Sequence, residues 1–149
     1  MILRWIVASL HLLALPLGLG AVWARGRGLI RARNTSDLPR VFIADNVWGL
    51  AAVLWIVTGV WRAFGGLEKG TQYYVSNRMF YVKMGLLALI LLLEVAPMTA
   101  LIGWRVAIRR RNSVNMAAAP VLARISQVQA VLVMLMVFAA TALARGFFY

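Results

Sequence analysis

The sequence predicts an all-α integral membrane protein, a single-domain four-helix bundle over residues 1–149 with four transmembrane helices. Three observations predict it: 63% of the residues are hydrophobic, only 13% are charged, and four apolar stretches are each long enough to cross a bilayer. A soluble domain of this size carries about 25% charged residues. The composition therefore excludes a disordered chain, a nucleic-acid-binding domain and an ordinary cytosolic enzyme.

Each predicted span is a continuous apolar run near the ~20 residues that a helix needs to cross the hydrocarbon core. The runs are too long and too uniform for the alternating strands of a membrane barrel. Between them lie an arginine-rich loop (25–40), a glycine-rich loop (64–78) and a second basic loop (105–120). The four spans are predicted at about 5–24, 41–61, 80–104 and 121–144.

Positive charge is distributed unevenly between the two sides of the predicted bundle. The first and third loops with their flanks contain ten arginines, against five lysines and arginines on the opposite side. Loops that face the cytoplasm are enriched in these residues, so we expect the termini on the outer side of the membrane. The lipid bilayer is the expected partner, and a homo-oligomer or a membrane-protein partner is left open. No nucleic-acid partner is expected.

His11 is the only histidine of the chain and lies inside the first predicted span. It shares a helix face with small residues at positions 14, 18 and 21, which allow another helix to approach closely, so it is expected to point into the bundle. Two interpretations follow. The imidazole is either a neutral hydrogen-bonding group between helices or, since imidazole coordinates iron readily, an axial ligand of haem iron.

Lys83 and Glu94 are 11 residues apart, close to three helical turns, and share one face of the third span. Lys83 lies near the span's outer end, where its ammonium can reach the interface. Glu94 lies near the bilayer middle. It is predicted either to relay protons or contact a substrate, or to form a structural bond with Gln127 or Gln129. Prolines in the first and third spans are expected to kink these helices and open a cavity between His11 and this face.

Asp45 and Asn46 open the second span and are further candidate intramembrane sites. An acidic residue in the first turn complements the helix dipole. The small residues that share its face direct Asp45 inward, and Arg124 on the fourth span is its predicted partner. Arg62 closes the second span, where an anchor at the level of the lipid phosphates is the simplest interpretation.

Two sequence runs resemble an uncharacterised family of bacterial four-span inner-membrane proteins. The resemblance extends over essentially the whole chain and includes His11 on the first span. It implies the four-span architecture and a location in the bacterial inner (plasma) membrane, and carries no assigned activity. In that membrane, the orientation expected from the charge count makes the termini periplasmic. The residues that carry it are Ala44–Leu50 (ADNVWGL), Gly59–Gly70 (GVWRAFGGLEKG), Tyr73, Tyr74, Asn77, Phe80 and Lys83.

The layout also resembles, more distantly, the HemJ-type protoporphyrinogen oxidases and the CopD-like copper-resistance membrane domains. HemJ-type proteins are four-span bundles with a histidine on the first span and a lysine at the start of the third, which correspond to His11 and Lys83. The resemblance implies haem b as cofactor, His11 as its iron ligand, Lys83 as partner of a propionate or substrate carboxylate, and an oxidoreductase activity. Where HemJ-type sequences carry another histidine two residues before the lysine, this chain has Tyr81.

Three functions are therefore predicted as alternatives. The first is a haem- or porphyrin-binding membrane redox protein. The second is a small transporter or channel component in which Asp45 and Glu94 carry protons or ions, which requires an oligomer because four spans leave little room for a path. The third is a structural or accessory subunit of a membrane complex, in which the polar residues fasten helices together.

Overall fold

Four long helices and one short helix form the computed structural model of the chain, which describes residues 1–66 and 70–147. No strand occurs within those residues, so the predicted all-α class is confirmed. The helices are α1 (Ile2–Arg31), α2 (Leu38–Phe64), α3 (Thr71–Ser76), α4 (Arg78–Arg109) and α5 (Ala119–Ala144).

The four long helices extend beyond most of the predicted span ends because charged residues at the edge of an apolar run do not interrupt a helix. Local signals set the ends instead. Asn34 and Asp37 form a capping box around a short 3₁₀ turn, and Pro39 lies in the first turn of α2. The Asn77 side chain accepts a hydrogen bond of 2.8 Å from the backbone N–H of Met79 and begins α4.

Each of the four long helices is long and apolar enough to cross a membrane. Helices of 26 to 32 residues are about 39–48 Å long, more than the roughly 30 Å of a hydrocarbon core. Large apolar side chains cover their outer faces; Leu50, Leu92 and Phe138 are each about 70% exposed. Such surfaces are stable against lipid, and the chain is an integral membrane protein.

The long helices alternate in direction, so the bundle has two distinct ends. We call the end that carries residues 1 and 147 and the described residues between α2 and α4 (65–66 and 70–77) the terminal end. There Arg4 lies 3.4 Å from the Gly66 carbonyl, and the Tyr73 hydroxyl donates to the Leu143 carbonyl at 2.8 Å. The opposite, loop end carries the 32–37 and 110–118 connections.

The helices do not close evenly around the bundle. α1 packs against both α2 and α5, and α4 packs against α5. Within the described residues the backbones of α2 and α4 make almost no close approach, and we call the gap between them the α2/α4 seam. One apolar cluster fills the loop end (Leu29, Leu38, Val41, Leu101, Trp104), and a second fills the middle of the bundle (Val22, Trp48, Ile90, Val133, Met136).

Candidate functional site

His11 lies inside the terminal half of the bundle, with 8% of its surface exposed. Its Nδ1 is 2.9 Å from Oγ1 of Thr58 on α2, and that hydroxyl donates to the Leu54 carbonyl at 2.6 Å. Because the hydroxyl's one proton is used on the carbonyl, its oxygen accepts from Nδ1–H of the imidazole. In neutral His11 the lone pair is then on Nε2.

The close approach of His11 to α2 depends on a glycine. A Cβ at Gly59 would lie 3.1 Å from the imidazole Cε1, closer than ordinary van der Waals contact. Gly59 therefore allows the imidazole to reach Thr58, one residue earlier on the same helix. Gly59 is also the first residue of the Gly59–Gly70 run that carries the family resemblance.

In the terminal half, the ring of Trp55 is contacted by both His11 and Lys83. The imidazole of His11 stacks on its ring, with centroids 5.6 Å apart and planes 18° apart, and Nζ of Lys83 lies 5.7 Å from the ring centroid. The indole Nε1–H of Trp55 is buried and has no acceptor within the part of the chain that the structure describes. A buried donor without an acceptor costs about 1–3 kcal/mol, which a ligand oxygen would recover.

These residues line a cavity of about 360 Å³ in the terminal half of the bundle. Sites for small molecules and cofactors are typically about 300–1,000 Å³. A cavity was predicted between His11 and the face of Lys83 and Glu94. His11 and Lys83 do line it, but Glu94 does not and lies on a separate, smaller pocket of about 40 Å³. Most of the large cavity's lining is apolar, and its polar and charged lining residues are His11, Arg62, Tyr73, Tyr74, Lys83 and Thr141.

The predicted phosphate anchor, Arg62, also lines this cavity. So do Tyr73, Tyr74 and Phe80, which belong to the sequence runs that carry the family resemblance. Residues 67–69 of the second run lie outside the described residues. The cavity therefore brings together His11 of the first span, residues of the 59–64 segment and residues of the 73–83 segment, which are far apart in the sequence.

A second polar site lies in the loop half and is built around Arg25, whose side chain is completely buried. Its Nη1 is 2.8 Å from Oδ1 of Asp45 and 2.7 Å from Oε1 of Glu94, and its Nη2 is 2.9 Å from Oε2 of Glu94. Its Nε donates to Ser126 at 3.0 Å, and Nη2 also donates to Gln129 at 2.8 Å. One guanidinium therefore joins all four long helices, and we call this set with Trp48 and Arg105 the Arg25 network.

Glu94 accepts hydrogen bonds from two helices besides its pair with Arg25. Its Oε2 accepts from Nε1 of Trp48 at 2.9 Å and from Nε2 of Gln129 at 2.8 Å. Of the two glutamines predicted as structural partners, the structure uses Gln129; Gln127 is only half-buried and lies near Gly26 of α1. Every oxygen of this intramembrane carboxylate is thus bonded, which lowers the cost of its burial.

Asp45 has two arginine partners, and neither is the predicted one. Its Oδ1 binds Arg25, and its Oδ2 is 2.9 Å from Nη2 of Arg105 on α4, which also bonds Asn46 at 2.9 Å. The prediction that Arg124 pairs with Asp45 was wrong, because Arg124 lies on the exposed, outer face of α5. Asn46, a candidate site from the sequence, contributes to the same contact across the α2/α4 seam.

Arg25 is a buried polar residue that the sequence analysis does not single out, because it stands among the arginines of the first predicted loop. A signal for its burial exists. Residue 25 continues the series 11, 14, 18, 21 of the inward face of α1, and α1 runs without a break to Arg31. Arg25 is therefore not part of the positive surface at the loop end. The other nine of the ten arginines counted for the first and third loops remain.

The two polar sites are well separated along the bundle. Fourteen residues separate His11 from Arg25 on α1, about 21 Å at the helical rise. The small pocket lies between them and is walled on α2 by Trp48 and Trp55 and on α4 by Leu91 and Glu94. Since it shares Trp55 with the large cavity, the two form one series of spaces along the seam.

A known protein family matches the chain. The family described as "Predicted membrane protein (DUF2214)" matches residues 3–147, nearly the whole chain. No curated protein and no solved structure matches the chain. The resemblance to an uncharacterised membrane family is therefore confirmed, and the more distant resemblance to HemJ-type and CopD-like proteins stays a prediction from the sequence.

Proposed function

The chain belongs to this family of predicted membrane proteins, and from that premise we propose that it binds haem b or a metal-free porphyrin in the large cavity. One observation carries the proposal. The imidazole of His11 and the ammonium of Lys83, from different helices, both lie against Trp55 in a cavity of about 360 Å³. An imidazole, a cation and an aromatic wall together suit a flat, aromatic ligand with acidic side chains.

His11 has the support that metal-binding histidines commonly have. Such histidines donate their second ring N–H to a fixed acceptor, which orients the ring and sets the tautomer. Thr58 is that acceptor, and Gly59 provides the room for it. His11 Nε2 is accordingly the proposed iron ligand, and bis-histidine ligation within one chain is excluded because the chain has one histidine.

Lys83 and Arg62 supply the proposed contacts to the ligand's carboxylates. Both line the cavity at the terminal end, where ionised carboxylates of a porphyrin would be near the membrane surface. The indole N–H of Trp55 is a further donor for such an oxygen. Bound haem would supply an iron centre that takes up and releases one electron, which would make the chain a membrane redox protein.

The test is to add haem and, separately, metal-free protoporphyrin to the protein purified in mild detergent, and to record the visible spectrum and tryptophan fluorescence. We expect a haem Soret band that is lost in His11→Ala, while metal-free protoporphyrin still binds that variant. Lys83→Gln should weaken both ligands, because it removes a charge rather than an iron ligand. Thermal unfolding of each variant shows whether it is folded.

Two outcomes would overturn the proposal. One is the absence of any spectral change with either ligand in the folded wild-type protein. The other is equal binding by the wild type and by folded His11→Ala and Lys83→Gln proteins, which would place the ligand elsewhere. Arg124→Gln is a suitable control variant, because Arg124 lies on the exposed face of α5 and away from the cavity.

We also propose that the loop end faces the cytoplasm of a bacterial cell from the inner membrane. The nine remaining arginines of the loop-end count support this orientation. The chain has no cysteine, so Ser36→Cys at the loop end and Gln72→Cys at the terminal end introduce unique labels. A thiol reagent that cannot cross membranes should label residue 72 in intact spheroplasts and residue 36 only after lysis. The reverse pattern would refute the orientation.

For Asp45 and Glu94 we propose a fastening role in preference to the transport of ions. Both carboxylates are paired with Arg25, and moving an ion through them would require breaking these bonds. The transport alternative also requires an oligomer. Native mass measurement of the purified protein tests that requirement, and a monomer would exclude the alternative.

A further inference from the structure

Side chains contact each other across the α2/α4 seam in its loop half, at its terminal end and at one point between, where Nζ of Lys83 on α4 lies 5.7 Å from the ring centroid of Trp55 on α2. In the loop half, Arg105 of α4 bonds Asp45 and Asn46 of α2, and Trp48 of α2 bonds Glu94 of α4 at 2.9 Å. At the terminal end, the rings of Phe64 and Phe80 meet edge to face with centroids 6.4 Å apart. These are the lower and upper limits of the seam's open part.

Between the loop-half hydrogen bonds and the terminal ring contact the seam forms a window, which the contact of Lys83 with Trp55 crosses. It extends over the 14 residues from Phe80 to Glu94 on α4, about 21 Å at the helical rise. The spaces behind the window are the large cavity and the small pocket. Both spaces are partly open rather than enclosed. Their lining includes residues of the outer surface at the seam, namely Val60 on α2 (55% exposed) for the cavity and Leu91 on α4 (45% exposed) for the small pocket.

Toward the water at the terminal end the cavity is covered by aromatic rings. Phe80 contacts both Phe64 and Tyr74, and Tyr74 contacts Tyr73, with ring centroids 5.7–6.4 Å apart. Tyr73 is fixed in turn by its hydrogen bond to the Leu143 carbonyl on α5. This aromatic cover leaves the side of the bundle, at the depth of the acyl chains, as the open approach.

The window also has a defined chemistry. Its walls between Trp55 and Leu91 are apolar. Of the cations in the cavity behind it, Arg62 lies in the last turn of α2, near the terminal end, and Lys83 lies against Trp55. A molecule that passes this way is soluble in the bilayer and carries acidic groups at one end. A free aqueous anion does not fit, because the apolar walls offer it no replacement for its hydration.

We infer that the α2/α4 seam is the entrance through which the ligand passes sideways from the bilayer, and that the ligand is a membrane-dissolved anionic amphiphile with a flat apolar body. The inference rests on the proposed function and adds its route and the physical state of its ligand. The aromatic cover, the lateral window and the charge at the terminal end all point to the same path.

The absence of cysteines allows a direct test. Ala52→Cys on α2 and Leu91→Cys on α4 place two thiols on the walls of the small pocket, across the seam. A short, reducible bifunctional thiol reagent then ties the two helices together. The matched control is Gly28→Cys with Val41→Cys, which ties α1 to α2 at the loop end; a Cβ at Gly28 would lie 3.9 Å from the Val41 Cβ, within the range of a disulfide.

The measurement is the rate at which each protein, in proteoliposomes, takes up protoporphyrin from donor liposomes, followed by quenching of tryptophan fluorescence. We expect cross-linking of the 52/91 pair to slow uptake at least tenfold and reduction of the reagent to restore it. The 28/41 pair should take up ligand at the wild-type rate. Protein that is loaded first and cross-linked afterwards should release the ligand equally slowly, which shows that the cross-link leaves the site intact.

The possible outcomes distinguish an error in the entry route from an error in the proposed binding of porphyrin. Uptake at the wild-type rate through a fully cross-linked 52/91 pair would overturn the lateral entrance and leave the proposed function standing. Equal slowing in the 52/91 and 28/41 pairs would also overturn it, because the effect would then follow general stiffening. If the wild-type protein itself takes up no porphyrin, the proposed function fails and the inference fails with it.

Discussion

The guanidinium of Arg25 and the carboxylate of Glu94 form a two-point ion pair in the interior of the bundle, with N–O distances of 2.7 and 2.9 Å. This geometry matches the planar fork of arginine, which lysine cannot reproduce. Asp45 has Arg105 as a second cation, whereas Glu94 has no second one within the described residues. The two carboxylates of the Arg25 network therefore depend on Arg25 to different degrees.

Arg25→Met should destabilise the protein by about 3–5 kcal/mol, because it leaves Glu94 buried without a cation. Adding Glu94→Gln should recover most of the loss, while adding Asp45→Asn should recover little and deprive Arg105 of its partner. The free energy of unfolding of the single and double variants in detergent measures the difference. Equal rescue by the two second substitutions would contradict the asymmetry.

Arg105→Gln should lower the free energy of unfolding by about 1.5–3 kcal/mol, since Arg105 makes hydrogen bonds to Asp45 and Asn46 across the α2/α4 seam. Arg124→Gln is the matched control. Its side chain is exposed, and its effect should remain within about 0.5 kcal/mol. A larger effect for Arg124 than for Arg105 would restore the sequence-based pairing that the structure replaces.

Thr58→Val should weaken haem binding by about 10–100-fold, because it removes the oxygen that accepts Nδ1–H of His11 while preserving the shape of the side chain. Thr58→Ser retains the hydroxyl and should bind haem like the wild type. Haem titrations followed at the Soret band compare the two. Since metal-free protoporphyrin needs no iron ligand, its affinity should be unchanged in both variants; a parallel loss would indicate damage to the cavity rather than to the ligand histidine.

Gly59→Ala should displace the imidazole, because the new Cβ would lie 3.1 Å from Cε1 of His11. Such overpacking costs about 1–3 kcal/mol, and we expect it to reduce haem affinity by roughly 5–150-fold. Gly49→Ala on the same helix meets nothing within 4 Å and serves as the control. If the two alanine variants bind haem equally, the contact between residue 59 and the imidazole has no role in binding.

The fold could be predicted from the sequence because long apolar runs have few stable arrangements in a bilayer. The inward face of α1 was equally visible, since the small residues that follow His11 recur at helical spacing. The partners of Asp45 could not be predicted in the same way. Pairing depends on the rotation of each helix about its axis, and the sequence does not give the rotations of α4 and α5 that turn Arg105 toward Asp45 and Arg124 outward.

The cavity could be predicted only in outline. His11 and Lys83 were expected to bound it, but the place of Trp55 between them depends on how α2 is turned toward α1 and α4. Glu94 shares a helix face with Lys83 but lines the small pocket instead of the large cavity, because it lies eleven residues, or about 16 Å, further along α4.

The uneven closure of the bundle implies a gradient of local stability along its axis. In the loop half, the Arg25 network ties α1, α2, α4 and α5 to one another, so no helix there can move without breaking bonds to the others. In the terminal half the helices enclose a cavity, and the two buried apolar clusters lie in the middle of the bundle and at its loop end, so local opening costs less in the terminal half. Backbone amides of residues 20–30 should accordingly exchange with solvent deuterium much more slowly than those of residues 5–12, although both segments belong to one unbroken helix.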